Sequence, residues 1–170
     1  MASAVDSAEA GVSLIETMVA LALLLVSVAG LGSMGIIGMT TTENQGHLAA
    51  RTTEYAQDKM EQLLVLAYGD TTSDTRVFPA AAAGGTGLAI GGSANAATPV
   101  NGYVDYLDQN GNLLVAGVGA PAGWFYKRVW SVASPSANLK QISVTATVAS
   151  SLGRKQTPSA TVTVLKTFPF

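Results

Sequence analysis

Gly11-Val12-Ser13-Leu14-Ile15-Glu16-Thr17-Met18-Val19-Ala20 opens an apolar run that continues to Met39, and Glu16 is its only charge. Residues 12–39 make 28 positions. About 20 apolar residues in a helix cross a bilayer core. A cleaved secretory signal has an apolar region of only about 7–15 residues. No small-residue cleavage site followed by a polar start interrupts the run. The segment therefore reads as a membrane-inserted helix over 12–42. A carboxylate inside such a helix costs roughly 2.5–3.5 kcal/mol on insertion scales, so Glu16 is expected to have a task and a partner. The plainer alternative is a side chain that snorkels toward headgroups.

Outward from this run, Thr40–Thr42 and Glu43–Gln45 mark an exit into polar surroundings. Helical periodicity continues beyond them. Leu48, Thr52, Tyr55, Ala56, Lys59, Leu63 and Leu66 follow three- and four-residue steps, while Arg51, Glu54, Asp58 and Glu61 occupy the other side. Gly69-Asp70 ends the pattern. One helix from about Val12 to Ala67 is expected, with residues 43–69 as its amphipathic half. Gly30, Gly32, Gly35 and Gly38 each weaken a helix interior by about 1 kcal/mol relative to Ala. They allow either close helix packing or local loosening of the helix.

Only 12% of the 170 residues are charged, against about a quarter in an ordinary soluble domain. Net charge is −2 with no basic cluster, which argues against a nucleic-acid partner. Asp6 and Glu9 lie in the first eleven residues; the remainder is formally neutral, as suits self-association. The chain has no cysteine, so disulfides and thiolate metal sites are excluded.

Residues 70–99 are rich in Thr, Ala, Gly and Ser and show no steady period, which reads as a long surface connection. From residue 100 the chain turns β-like. Tyr103–Leu107 and Leu113–Val118 flank Asp108-Gln109-Asn110-Gly111-Asn112, a hairpin turn by its Asn-Gly pair. Asp105, Asp108 and Asn110 resemble a calcium loop only faintly, without its alternating ligands or terminal Glu. Trp124–Ala133, Leu139–Ala149 and Thr161–Phe168 are the strongest strands, separated by turns at Ser134–Asn138 and Ser150–Lys155. Ile142, Val144, Ala146 and Val148 alternate with Ser143, Thr145 and Thr147, giving one buried and one wet face. The helix stripe covers the buried face, so the fold class is α+β: a long N-terminal helix packed on a C-terminal antiparallel sheet over 100–170. Trp124, Phe125, Tyr126 and Trp130 read as core or edge packing. Lys127-Arg128 reads as a polar-face pair.

No catalytic constellation is apparent. His47 is the only histidine, and its neighbours offer no triad. Phosphate loops, dinucleotide fingerprints and zinc spacings are missing. A non-enzyme without cofactor is expected.

The N-terminal stretch, a Gly followed by an apolar residue, a hydroxyl residue, two aliphatics and a Glu, resembles the cleavage and assembly signature of type IV prepilins and of their relatives in type II secretion. That resemblance implies a pilin-like fold and a leader at 1–11, although Met1–Gly11 lacks the basic residue such leaders commonly carry. It implies cutting between Gly11 and Val12 by a prepilin peptidase and methylation of the new Val12 amine. It gives Glu16 an assembly role, pairing with the Val12 ammonium of a neighbouring pilin or pseudopilin as the helix leaves the inner membrane for an extracytoplasmic filament. Glu54–Asp70 (EYAQDKMEQLLVLAYGD), and the strands with Lys127-Arg128 before Trp130 and a basic turn at Arg154-Lys155, resemble the minor-pilin branch labelled type IV pilus modification proteins. A minor pilin is thus the leading expectation, with a minor pseudopilin of type II secretion as the alternative. A membrane-anchored extracytoplasmic binding domain that never polymerises is the alternative of another class.

Overall fold

The structure, a computed structural model, describes residues 13–114, 119–149 and 157–168. The chain divides into two compact units between Thr42 and Glu43. A single α-helix, α1, runs Leu14–Val65 and contributes to both.

In the first unit α1 opens at Ser13, whose Oγ accepts the Glu16 backbone N–H at 3.3 Å, an N-terminal cap. The residues that follow are aliphatic, and their side chains are exposed, with Leu14, Leu31 and Met39 each more than 70% accessible. Hydroxyls in this stretch turn back on the helix. Thr17 donates to Leu14 O at 2.8 Å, Ser27 to Leu23 O at 2.7 Å and Ser33 to Ala29 O at 2.8 Å. Each satisfies its own donor locally, which is what a polar group needs in a hydrocarbon environment. The helix is unbroken through Gly30, Gly32, Gly35 and Gly38. A Cβ at any of the four would meet nothing within 4 Å, so no contact inside the described chain explains them.

The second unit is the expected α+β arrangement. The sheet comprises β1 (Gly91–Gly92), β2 (Val104–Leu107), β3 (Leu113–Leu114), β4 (Tyr126–Ser136), β5 (Leu139–Val148) and β6 (Ser159–Thr167). All pairings are antiparallel, in the order β3-β2-β4-β5-β6, and β1 pairs with β4. Residues 48–66 of the chain lie on one sheet face. Ala56, Met60 and Leu63 pack against Leu88, Trp130, Val132, Ile142, Val144 and Ala146 in the main core. Leu48 sits nearer the start of this segment, with Leu107, Tyr126 and Val148.

Several boundaries differ from the sequence reading. β4 runs on through Ser134–Ser136, where a turn was expected, because an irregularity between Ala133 and Ser136 absorbs a change of register. The turn contracts to residues 137–138. β3 is described only as Leu113–Leu114; residues 115–118 and the expected turn at 150–155 lie outside the described residues. The face away from α1 is not simply wet. Val104, Tyr106 and Val129 form a small cluster there with Ala96, Leu114 and Trp124. Ser143 and Thr163 pair their hydroxyls at 2.9 Å, and Thr145 and Thr161 at 2.8 Å.

Residues 70–99 carry local order that their composition does not announce. Asp70 accepts backbone N–H groups of Thr72 and Ser73, each at 3.0 Å, and Asp74 bridges to Ala81. Gly92 has φ +80° and lies against the Trp130 carbonyl and the Tyr103 ring, where a side chain has no room. That glycine lets β1 add to β4.

Candidate functional site

At the N-terminal end, the sequence singles out Gly11, Val12 and Glu16. Gly11 and Val12 lie outside the described residues. Glu16 is exposed in the first turn of α1, directly after the Ser13 cap. Negative charge is favourable at this end of a helix dipole. No ion pair to Glu16 occurs among the described residues. Around it stand the exposed side chains of Leu14, Ile15, Met18 and Val19. The helix contains a stretch long and apolar enough to cross a membrane. The arrangement is one carboxylate on an apolar rod whose large side chains are exposed.

The second unit treats charge in the opposite way. Asp105 on β2 is fully buried and accepts Arg128 Nε at 2.7 Å and Nη2 at 2.9 Å, a bidentate pair. Lys59 of α1, also fully buried, brings Nζ to 2.8 Å from Asp105 Oδ2 and also donates to the Thr75 carbonyl. The same ammonium stands 4.1 Å from the centre of the Trp130 ring. Arg128 Nη1 reaches Asp58 Oδ2 at 2.7 Å, the edge of the cluster that meets solvent. Burial raises the Asp105 carboxyl, but Lys59 and Arg128 outweigh it and hold the group below its ordinary value. Burial drives Lys59 down to about 8, against the pull of Asp105 and with a push from Arg128.

This cluster joins α1, β2, β4 and the segment after α1. The buried charges of Lys59, Asp105 and Arg128 are each engaged by a neighbour, so the cluster has the character of a lock. Arg128 therefore is not the polar-face residue that the Lys127-Arg128 pair suggests. Strand alternation sends the two to opposite faces: Arg128 goes beneath α1, and Lys127 bonds Ala96 O at 2.5 Å on the other side. Likewise Asp105 belongs to the lock, not to the turn. Asp108 holds the turn, accepting N–H groups of Asn110 and Asn112 at 2.8 Å each, and β2 and β3 form the expected hairpin. No group of three or more His, Cys, Asp or Glu placed to hold a metal occurs among the described residues.

The aromatic run is used in packing. Trp130 and Tyr126 are buried, Trp124 stacks edge-on to Tyr106 at 5.4 Å, and Tyr126 lies 4.7 Å from Tyr55. His47 is exposed beside a recess of about 210 Å³ shared with Asn44, Gln109 and Phe125, without a nucleophile or carboxylate lining it.

A feature missed in the sequence is the cap at the end of α1, whose last turn has no basic residue. Lys166 on β6 donates to Leu64 O at 2.5 Å and Leu66 O at 2.6 Å, and Lys140 on β5 donates to Tyr68 O at 2.7 Å and Leu88 O at 2.8 Å. Two lysines paired across neighbouring strands thus satisfy carbonyls at the negative end of the helix dipole. The recognisable signal was two lysines on an otherwise apolar strand face.

Residues 6–32 match the family model described as the prokaryotic N-terminal methylation motif. No curated protein and no solved structure matches the chain. With that motif at the head of a long apolar helix that leads into an antiparallel sheet, the chain carries the type IV prepilin signature, which supports a type IV pilin-like family.

Proposed function

We propose that this chain is a minor pilin: a structural, non-catalytic subunit inserted in the inner membrane as a precursor, cleaved by a prepilin peptidase between Gly11 and Val12, and then joined to an extracytoplasmic filament. The observation that carries the reading is the methylation motif over residues 6–32 with Glu16 as the lone charge of an exposed apolar helix. The same observation fits a type II secretion pseudopilin, which shares the processing and the helix.

The mechanism is association between helices. The apolar side chains exposed from residue 14 to residue 39 become buried when other subunits surround them. Glu16 then sets the register, because its carboxylate enters low dielectric beside a neighbour's Val12 ammonium. An ion pair in that setting is far stronger than in water. Removing one partner of a buried pair typically costs about 3–5 kcal/mol. A membrane anchor that never assembles needs no such charge, and loses nothing when it is removed.

Intact mass of the protein from its native host tests the processing step. The expected mature form begins at Val12 and carries one added methyl. A leader-bearing form in cells that hold the peptidase would sink the reading. Glu16→Ala should leave membrane insertion intact and strongly reduce recovery in sheared filaments.

A further inference from the structure

β6 ends the sheet, and no described strand lies on its outer side. Its backbone directions follow from two hydrogen bonds. Phe168 N–H donates to Asn138 O at 2.9 Å, in the register that pairs Leu139 with Thr167. Residues directly opposite in an antiparallel pair exchange both bonds or neither, and the two kinds alternate. Ala160, Val162, Val164 and Lys166 therefore bond to β5. On the other side of β5, Ala149 N–H donates to Phe125 O at 2.7 Å, which fixes the same alternation independently. Ser159, Thr161, Thr163, Leu165 and Thr167 thus turn their N–H and C=O groups outward, away from the sheet.

Edge strands are usually blunted by Pro, by a bulge, by charge or by brevity. β6 shows none of these devices. It runs nine residues without Pro, and its register with β5 is unshifted from Leu139 to Thr147. Its one charge, Lys166, is drawn to the Leu64 and Leu66 carbonyls. The core is also unfinished along this edge. Val162, Val164, Leu64 and Leu66 pack against the main cluster yet are only half-buried. Ile142 and Val144, which pair with Val164 and Val162 from β5, are fully buried. Outward backbone groups and half-covered apolar side chains thus share one line.

We propose that the outer edge of β6 receives an extended strand of a different filament subunit, laid antiparallel and carrying apolar side chains at alternate positions. Its backbone answers the outward N–H and C=O groups of β6, which is strand addition to a sheet edge. Its apolar residues continue the row of Val162 and Val164 and cover Leu64 and Leu66. Hydroxyl or other small polar residues between them continue the row of Thr161 and Thr163. Antiparallel pairing matches the rest of the sheet and is the more stable per residue. A second copy does not supply this strand. Among the described residues β2, β4 and β5 are flanked on both sides, and β1 and β3 are two residues long, which leaves β6 as the one long edge. β6 on β6 would be isologous and would close a two-fold pair, whereas a filament needs contacts that propagate. The inference rests on the filament-subunit reading and adds the kind of neighbour the subunit meets.

Hydrogen exchange read residue by residue tests the contact, because the two sets of amides interleave. In the purified full chain in detergent, the amides of Ala160, Val162, Val164 and Lys166 should exchange slowly and those of Thr161, Thr163 and Leu165 fast. In filaments from the native host, the fast set should slow by about tenfold or more. Unchanged rates for that set in filaments would overturn the contact. So would slowing that appears in the purified chain as its concentration rises, which is β6 pairing with β6. Leu165→Pro removes one outward N–H at an edge position where Pro is tolerated, and Leu165→Thr keeps it. The two variants should unfold at similar midpoints in detergent, while Leu165→Pro is recovered in filaments about tenfold less. Equal recovery would overturn the contact; where Leu165→Pro itself lowers the midpoint, the exchange pattern of the parent chain decides alone. Intact mass in the same cells separates the two layers. A Val12 form in filaments whose outward amides exchange freely removes only this contact, whereas no Val12 form removes the subunit reading as well.

Discussion

The two halves of α1 share one helix and divide sharply in what their side chains touch. From Leu14 to Met39 the helix carries aliphatic residues whose side chains stay exposed, and its single carboxylate stands among them unpaired by any described residue. From Leu48 to Leu63 the helix is less apolar in sequence, yet Leu48, Ala56, Met60 and Leu63 are buried, together with Lys59. The contrast shows that hydrophobicity alone does not locate a core. A core forms where apolar residues pack against others of the same chain; the more apolar half leaves its large side chains exposed on a stretch of membrane-spanning length.

The sharpest way to break the comparison is to strip the buried charge lock. Asp105→Ala leaves Lys59 and Arg128 buried without their shared anion, and should destabilise the second unit by about 3–5 kcal/mol. Denaturant unfolding of the full chain in detergent, followed by Trp fluorescence, would read this as a large fall in midpoint. An unchanged midpoint would mean that the lock is not closed.

Titration gives the next effect. Lys59 drops from 10.5 to about 8 in the folded chain, chiefly through burial. Between those values the unfolded chain binds more protons than the folded one, so stability rises with pH across that window. The shift corresponds to about 3 kcal/mol at full extent. Burial also lowers Lys140 and Lys166, which adds to the rise, while burial raises Tyr106 and Tyr126 and reverses the trend above pH ~10. Unfolding midpoints measured from pH 7 to 10 should climb in the parent and climb much less in Lys59→Met. A smaller loss, about 1–2 kcal/mol, is expected for Lys166→Met, which uncovers the Leu64 and Leu66 carbonyls at the helix end.

What sequence reading reaches, and what escapes it, follows the range of the interactions. The membrane-length run, the amphipathic stripe and the alternation of Ile142, Val144, Ala146 and Val148 are local periodicities, and each appears in the structure as such. The hairpin at Asp108–Asn112 is likewise a local signal. The lock was hidden because it joins residues 59, 105 and 128, which no short window contains. Lys59 reads as one member of the helical stripe, and Arg128 as half of a polar-face pair. The cap made by Lys140 and Lys166 escaped for the same reason, since its acceptors lie near residues 64–68. At the candidate assembly site the order is reversed. Glu16 is conspicuous in the sequence because its surroundings are uniform, while among the described residues no ion pair reveals its partner.

Glu16 therefore supplies the smallest effect on stability and the cleanest separation of the two halves. Glu16→Gln keeps a polar side chain in the first turn and leaves the Ser13 cap to the backbone untouched, but removes the charge. Because none of the core contacts among the described residues of the second unit involves it, the unfolding midpoint of that unit should not move measurably. If Glu16 acts by pairing with a neighbour's amine, filament recovery should fall steeply all the same, since a neutral amide cannot balance an ammonium in low dielectric. Asp105→Asn makes the opposite prediction: the second unit weakens in isolated detergent-solubilised chains, before any assembly is asked of it. Measuring midpoint and filament recovery for both variants places each carboxylate on one axis. A Glu16→Gln chain that assembles like the parent would return the first half of α1 to the status of a plain anchor. A fall in midpoint with Glu16→Gln would instead mean that the two halves of the helix are energetically coupled, and that the division drawn at Thr42 is not one of stability.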